Sequence, residues 1–257
     1  TLKFVIMTMF FLGGFMIKNR LTQLIYRIIY CVILSFGVLF SLGIWTDKSF
    51  NTDFYAYYTN LSNYLCLGVM IAVTVNTVRQ LRNNQNHGTT DYLENTKFMC
   101  SILILVTFLV YNILLAKDNS AFEYFTSLSN LTLHLVGPIL FILDHILFDS
   151  RCSVKWYMPL VSFVPPLGYV GFVFIRAAII GNNPDIMKYP YFFLNPEEVG
   201  IGGVFMWIFI LLAVFAILGY ILWLLNHLIK ENGKLKIYPK NDYSLKNKTN
   251  QLEIDVK

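Results

Sequence analysis

Six apolar stretches, each long enough to cross a bilayer, leave this chain few ways to fold. They run over residues 21–45, 56–78, 98–116, 124–148, 156–180 and 203–229. Crossing about 30 Å of hydrocarbon takes about 20 residues of helix. Lipid offers the backbone no hydrogen-bond partner, so each span must satisfy itself as an α-helix. Hydrophobic residues are 56% of the 257 and charged residues 14%, well away from the balance of soluble domains. The predicted fold class is an all-α polytopic membrane bundle of six transmembrane helices.

The net charge of +5 invites a nucleic-acid reading, but the basic residues sit between spans rather than in one patch. One set of loops and the tail carry fifteen Lys and Arg, among them Arg20, Arg27, Arg79, Arg82, Lys97 and Arg151. The opposite loops carry three, Lys48, Lys117 and Lys188. The positive-inside rule then predicts a cell-membrane protein with both termini cytoplasmic, and no nucleic-acid partner. Residues 230–257, rich in Lys and Asn, read as a flexible basic cytoplasmic tail. Residues 1–20 form a separate N-terminal segment. It reads as an interfacial stretch, a short seventh helix, or an over-called start, since Gly13-Gly14-Phe15 before Met16 is what a ribosome-binding site would encode.

Within this frame one phrase occurs twice. Tyr57-Tyr58-Thr59-Asn60-Leu61-Ser62-Asn63 returns 67 residues later as Tyr124-Phe125-Thr126-Ser127-Leu128-Ser129-Asn130. Polar side chains that enter hydrocarbon turn toward a protein interior or a cavity. The repeat therefore predicts a duplicated two-helix unit with a site between its copies. The second copy leads to His134, about 15 Å into its span, where an imidazole needs a polar partner. Pro138 follows four residues later and leaves the His134 carbonyl without its helical donor.

The hydroxyls of Thr59 and Thr126 are candidate nucleophiles, or they bond back to carbonyls one turn earlier. Asn63 and Asn130 read as helix glue or as oxyanion donors. A rival nucleophile is Cys66. Leu67 is the repeat equivalent of His134, and Cys66 beside it lies at matching depth, although a small apolar packing role fits it as well. Arg176 could bind a carboxylate or reach headgroups. Tyr189 and Tyr191, in the aromatic run Tyr189-Pro190-Tyr191-Phe192-Phe193, read as an interfacial lid over a substrate. Asp144-His145 reads as a snorkelling or capping pair. Cys31, Cys66, Cys100 and Cys152 suggest no disulfide framework, and neither a C-x-x-C nor a Gly-rich phosphate loop points to a metal or cofactor.

Read in order, these residues carry a resemblance. A Thr at an early helix mouth is followed by His134-Leu135-Val136-Gly137-Pro138-Ile139-Leu140-Phe141-Ile142-Leu143-Asp144. Gly168-Tyr169-Val170, Tyr189-Pro190-Tyr191-Phe192-Phe193-Leu194, and Leu218-Gly219-Tyr220 with Asn226 come next. From about Leu21 to Leu228 the chain resembles the androgen-induced/FAR-17a-like family of multi-pass membrane proteins, and more closely its bacterial relatives. Animal members are intramembrane hydrolases of fatty-acid esters that use a Thr nucleophile and a His. The resemblance implies Thr59 as nucleophile, His134 as base and an amphiphilic ester as substrate. Thr59 lies near the mouth of its helix and His134 about seven residues deeper, roughly 10 Å along the normal. A Cys/His acyltransferase and a transport or binding protein with a proton-sensing His134 stand as alternatives.

Overall fold

The computed structural model describes residues 16–44, 53–115, 127–181, 183, 185–231 and 234–237. Six helices are long and apolar enough to cross a membrane: α1 (Arg20–Ser41), α2 (Tyr58–Arg82), α3 (Glu94–Leu115), α4 (Leu128–Phe148), α5 (Met158–Ile180) and α6 (Pro196–His227). The chain is a multi-pass, all-α membrane bundle. The N-terminal readings, Thr126 and the tail beyond residue 237 lie outside the described residues. After α6 the chain forms a short antiparallel pair, β1 (Leu228–Glu231) with β2 (Lys234–Ile237).

Helices α1 to α4 close into a ring, each packed on its neighbours, with α4 returning to α1. Helix α6 and the first turn of α5 pack on the outside of α3. The main core lies inside the ring, around Tyr30, Leu34, Met70, Phe98 and Phe141. A second cluster joins α5, the 189–194 segment and α6 through Tyr169, Val173, Tyr191, Phe193 and Val204.

Helix α1 shows how a membrane inverts the usual pattern. Its exposed side is the apolar stripe Leu21, Ile25, Ile28, Val32 and Phe36, while Gln23 and Arg27 are fully buried against the bundle. Hydrocarbon is the solvent here, so the polar face turns inward. Close contact of α1 with α4 rests on two small residues. A Cβ at Gly37 would overlap the Thr132 side chain, and one at Gly137 would press on the Thr132 carbonyl and Leu34.

At the far end from the repeated phrase, the ring closes on buried charge. Arg27 Nε donates to Asp144 Oδ1 at 2.9 Å, and its terminal nitrogens donate to the Thr77 and Thr90 hydroxyls at 2.7 and 2.6 Å. Lys97 bonds both Asp144 and Asp149. His145 Nδ1 lies 2.7 Å from Asp149 Oδ2. Arg27, Lys97 and Asp144 are all fully buried. Asp144 and His145 therefore do not snorkel; they join a closed ion network. Arg20 and Arg151 are buried too, Arg20 on Gln80 and Arg151 on the Ile146 and Leu225 carbonyls. Four residues counted as loop charges are thus internal, which removes them from the loop-charge argument. The 83–93 loop seals this end, with Thr90 N–H donating to Phe148 O and Ser150 N–H to Thr90 O, both at 2.8 Å.

Two cations here balance two carboxylates. Removing Lys97 leaves the two buried carboxylates facing one fixed cation, Arg27, so that negative charge is buried without its counter-charge, a change of the kind that costs about 3–5 kcal/mol. Lys97→Met should therefore lower the melting temperature of the detergent-solubilised protein sharply. Lys188→Met, which removes an exposed partner of Glu197, should leave it unchanged.

Candidate active site

His134 sits in a five-residue π-helical segment, Thr132–Val136, whose Gly137 N–H reaches the Thr132 carbonyl. The cause is next along the chain. Pro138 has no N–H to give to either Leu133 or His134. Two side-chain amides from neighbouring helices take its place. Asn63 Nδ2 on α2 donates to Leu133 O, and Asn112 Nδ2 on α3 donates to His134 O, each at 3.1 Å. Asn112 lies in a second π-helical segment, Tyr111–Leu115, which ends α3. The preceding residue, Tyr111, stacks flat on the His134 ring, with centroids 3.3 Å apart and planes 11° off parallel. The imidazole is about nine-tenths buried, and its Nδ1 has no hydrogen-bond partner among the described residues.

Thr59 is the second residue of α2. Its carbonyl accepts from Asn63 Nδ2 at 2.8 Å and from the Ser62 hydroxyl at 3.0 Å. Tyr57, at the N-cap, gives the helix no side-chain cap. The Tyr191 phenol lies near the Thr59 hydroxyl and the N–H groups of Tyr58 and Thr59. Those contacts favour a phenolate, but burial outweighs them and holds the Tyr191 hydroxyl above its usual pKa. It stays a neutral donor.

Thr59 and His134 line the same cavity of about 420 Å³. Asn130, Ser129, Asn60, Tyr111 and Tyr191 line it with them. A seven-residue difference in depth thus still lets both residues reach one cavity. Part of the reason is that α4 begins at Leu128, with Ser127 as its cap, so His134 lies fewer residues into its helix than the apolar run suggests. Nearly all the cavity wall is uncharged; Tyr and amide groups supply its polarity.

The other predicted site residues fall elsewhere. Cys66 is fully buried in the ring core, its thiol 3.7 Å from the Cys100 carbonyl, and it is not among the residues that line the described cavities. Asn63 spends both amide hydrogens on carbonyls, as helix glue. Arg176 does bind a carboxylate, that of Asp53 at 2.8 Å, and also the Met187 carbonyl at 2.6 Å. It ties α5 to the loop before α2. Tyr189 packs edge-on against Phe174, away from the cavity. Among the described residues, no three His, Cys, Asp or Glu side chains converge as a metal-binding set. Tyr111 and Asn112 were not foreseen. An Asn within a span was the available signal, since a buried amide must bond to something.

No family model, curated protein or solved structure matches this chain.

The two amides stand in for one missing N–H. Asn112→Leu should destabilise the protein by about 1–3 kcal/mol, the cost of a stranded buried carbonyl. Adding Pro138→Ala, which restores a backbone donor, should recover part of that loss. A double-mutant cycle by thermal melting reads the coupling, and strict additivity would exclude this account.

Proposed function

We propose that the protein is an intramembrane lipid-ester hydrolase with Thr59 as nucleophile and His134 as base. The observation that carries this reading is the shared cavity: a hydroxyl and an imidazole with an uncommitted nitrogen line one polar hollow inside a membrane bundle. The resemblance to the androgen-induced/FAR-17a-like family supports it, because the family's Thr and His fall on these two residues. The basic end of the bundle faces the cytoplasm, which puts the cavity near the opposite surface.

In the proposed reaction His134 takes the proton from Thr59 Oγ as that oxygen attacks the ester carbonyl. The tetrahedral intermediate collapses, the C–O bond to the leaving alcohol breaks, and His134 returns the proton to that alcohol. Water then attacks the acyl-enzyme with His134 again as base, releasing the fatty acid and restoring the Thr59 hydroxyl. Asn130 lines the cavity and can donate to the oxyanion. The amide of Asn63 is already committed. Tyr191, held protonated, is a further donor at the same wall.

A second reading has one observation in its favour. Helix α4 carries both His134 and the buried Asp144, and charged groups within spans often serve ion or proton movement. On that reading the cavity binds a polar solute and the ion network is a closed gate.

A fluorophosphonate probe separates the readings. Labelling of the wild type should be lost in Thr59→Ala and in His134→Ala and retained in Cys66→Ala. Loss in Cys66→Ala alone would favour the Cys/His acyltransferase. No labelling of any variant, with proton-coupled uptake into vesicles, would favour transport.

A further inference from the structure

Three hollows lie side by side and share their walls. The polar cavity has Thr59, Tyr111, Leu115 and Tyr191 in common with an apolar cavity of about 70 Å³. That cavity shares Tyr58 and Tyr169 with a groove of about 260 Å³ between α2 and α5. Leu61 and Leu65, on the α2 side of the groove, are 37% and 39% exposed in a membrane-spanning helix, so the groove opens on hydrocarbon. On the α5 side, Gly168 makes the room: a Cβ there would meet nothing within 4 Å.

The occupant is set by what surrounds such a groove. An empty crevice forfeits dispersion contacts along its whole lining. Water needs two to four polar partners. Among the described residues, the groove has one side-chain hydroxyl besides those of Tyr58 and Tyr169. It is that of Ser62, already 3.0 Å from the Thr59 carbonyl and 2.9 Å from the Thr107 hydroxyl. Acyl chains are the remaining material at that depth. The groove also exceeds the ~150 Å³ cavity that holds a benzene ring.

Between groove and interior stand two rings, Tyr58 and Tyr169, edge to face at 5.2 Å. They are held differently. The Tyr169 hydroxyl donates to the Ala56 carbonyl at 2.7 Å. The Tyr58 hydroxyl is buried with no partner among the described residues. Of the two, Tyr58 loses no hydrogen bond when it moves.

We propose that the groove between α2 and α5 binds a lipid acyl chain and is the lateral entrance to the polar cavity, with Tyr58 as its movable partition. The entrance role rests on the hydrolase reading; chain binding stands without it. A chain gains no hydrophobic energy on leaving lipid. Packing along the groove and hydrogen bonds between the headgroup and the polar cavity supply the hold.

The test uses the full chain in phosphatidylcholine vesicles doped with phosphatidylcholine bearing a mid-chain diazirine, photolysed and mapped by mass spectrometry. Crosslinks are expected at Val106 and Leu194, which line the apolar cavity and are buried from the surrounding lipid. They should be lost when the groove is plugged from either wall by Gly168→Trp or Leu65→Trp. They should persist in Gly171→Trp, where an added Cβ also meets nothing but which does not line the groove. Absence of internal crosslinks in the wild type, or their survival in both plugged variants, overturns the proposal. Fluorophosphonate labelling of the same samples reports on Thr59 separately, so chain entry and ester chemistry can fail independently.

Discussion

Arg27, Lys97, Asp144 and Asp149 are withdrawn from water at one end of the ring, and their pairing decides how the four helices meet. Removing an ion from water costs several kcal/mol even after relaxation, and only close geometry with extra hydrogen bonds offsets it. Here the extra bonds come from Thr77 on α2 and Thr90 in the 83–93 loop. Each partner lies on a different element, so the network sets the register of α1, α2, α3 and α4 relative to one another. Apolar packing alone would do this poorly in a bilayer, because lipid tails compete equally well for apolar faces. The specificity of the bundle thus rests on its least hydrophobic residues.

With one end fixed, the irregular features gather toward the other. Two π-helical segments face each other on α3 and α4, and each brings a ring to the cavity, Tyr111 from one and His134 from the other. A helix in hydrocarbon cannot leave carbonyls unbonded, so the break made by Pro138 demands donors from outside. Asn63 and Asn112 meet that demand and in doing so join α4 to α2 and to α3 at the level of His134. The same bonds that repair the helix hold the imidazole in place, and Tyr111 covers one of its faces.

Much of the fold was legible because twenty apolar residues in a row have one structural meaning. The boundaries were less so. Helix α6 is broken at Gly200, φ 71° and ψ 162°, so its continuous part starts close to the apolar run at residue 203. Helix α4 instead begins at Leu128, four residues after its apolar run starts at 124, because Ser127 caps it: its side chain accepts the Asn130 N–H at 3.4 Å. Capping chemistry, not hydropathy, marks that start. The sign of Arg27 suggests a loop charge, yet its place seven residues into α1 already marks it as internal. The site residues Thr59 and His134 stand out through the repeat and the resemblance. Their meeting in one cavity does not, since depth along two helices says nothing of where the helices begin or how π turns alter them. The repeat itself misleads on Cys66. The α2 side chain that bonds the α4 irregularity is Asn63, one turn nearer the mouth than the 67-residue offset implies.

The position of Thr59 bears on why a hydroxyl there could be reactive. It lies in the first turn of a 25-residue helix whose N-cap offers no side chain to the leading N–H groups. Those groups carry the positive end of the helix dipole, which favours negative charge near them. In the resting protein the Tyr191 phenol faces them. On the proposed reaction, negative charge develops first on Thr59 Oγ and then on the carbonyl oxygen, both close to that helix end. Main-chain donors of this kind are fixed in place before the reaction and cost no reorganisation when charge appears. Tyr191, neutral because it is buried, would on that reaction be a donor near the oxyanion. The segment that carries it is anchored through Arg176 and the stacked Phe193, so the cavity wall that Tyr191 forms is held in place.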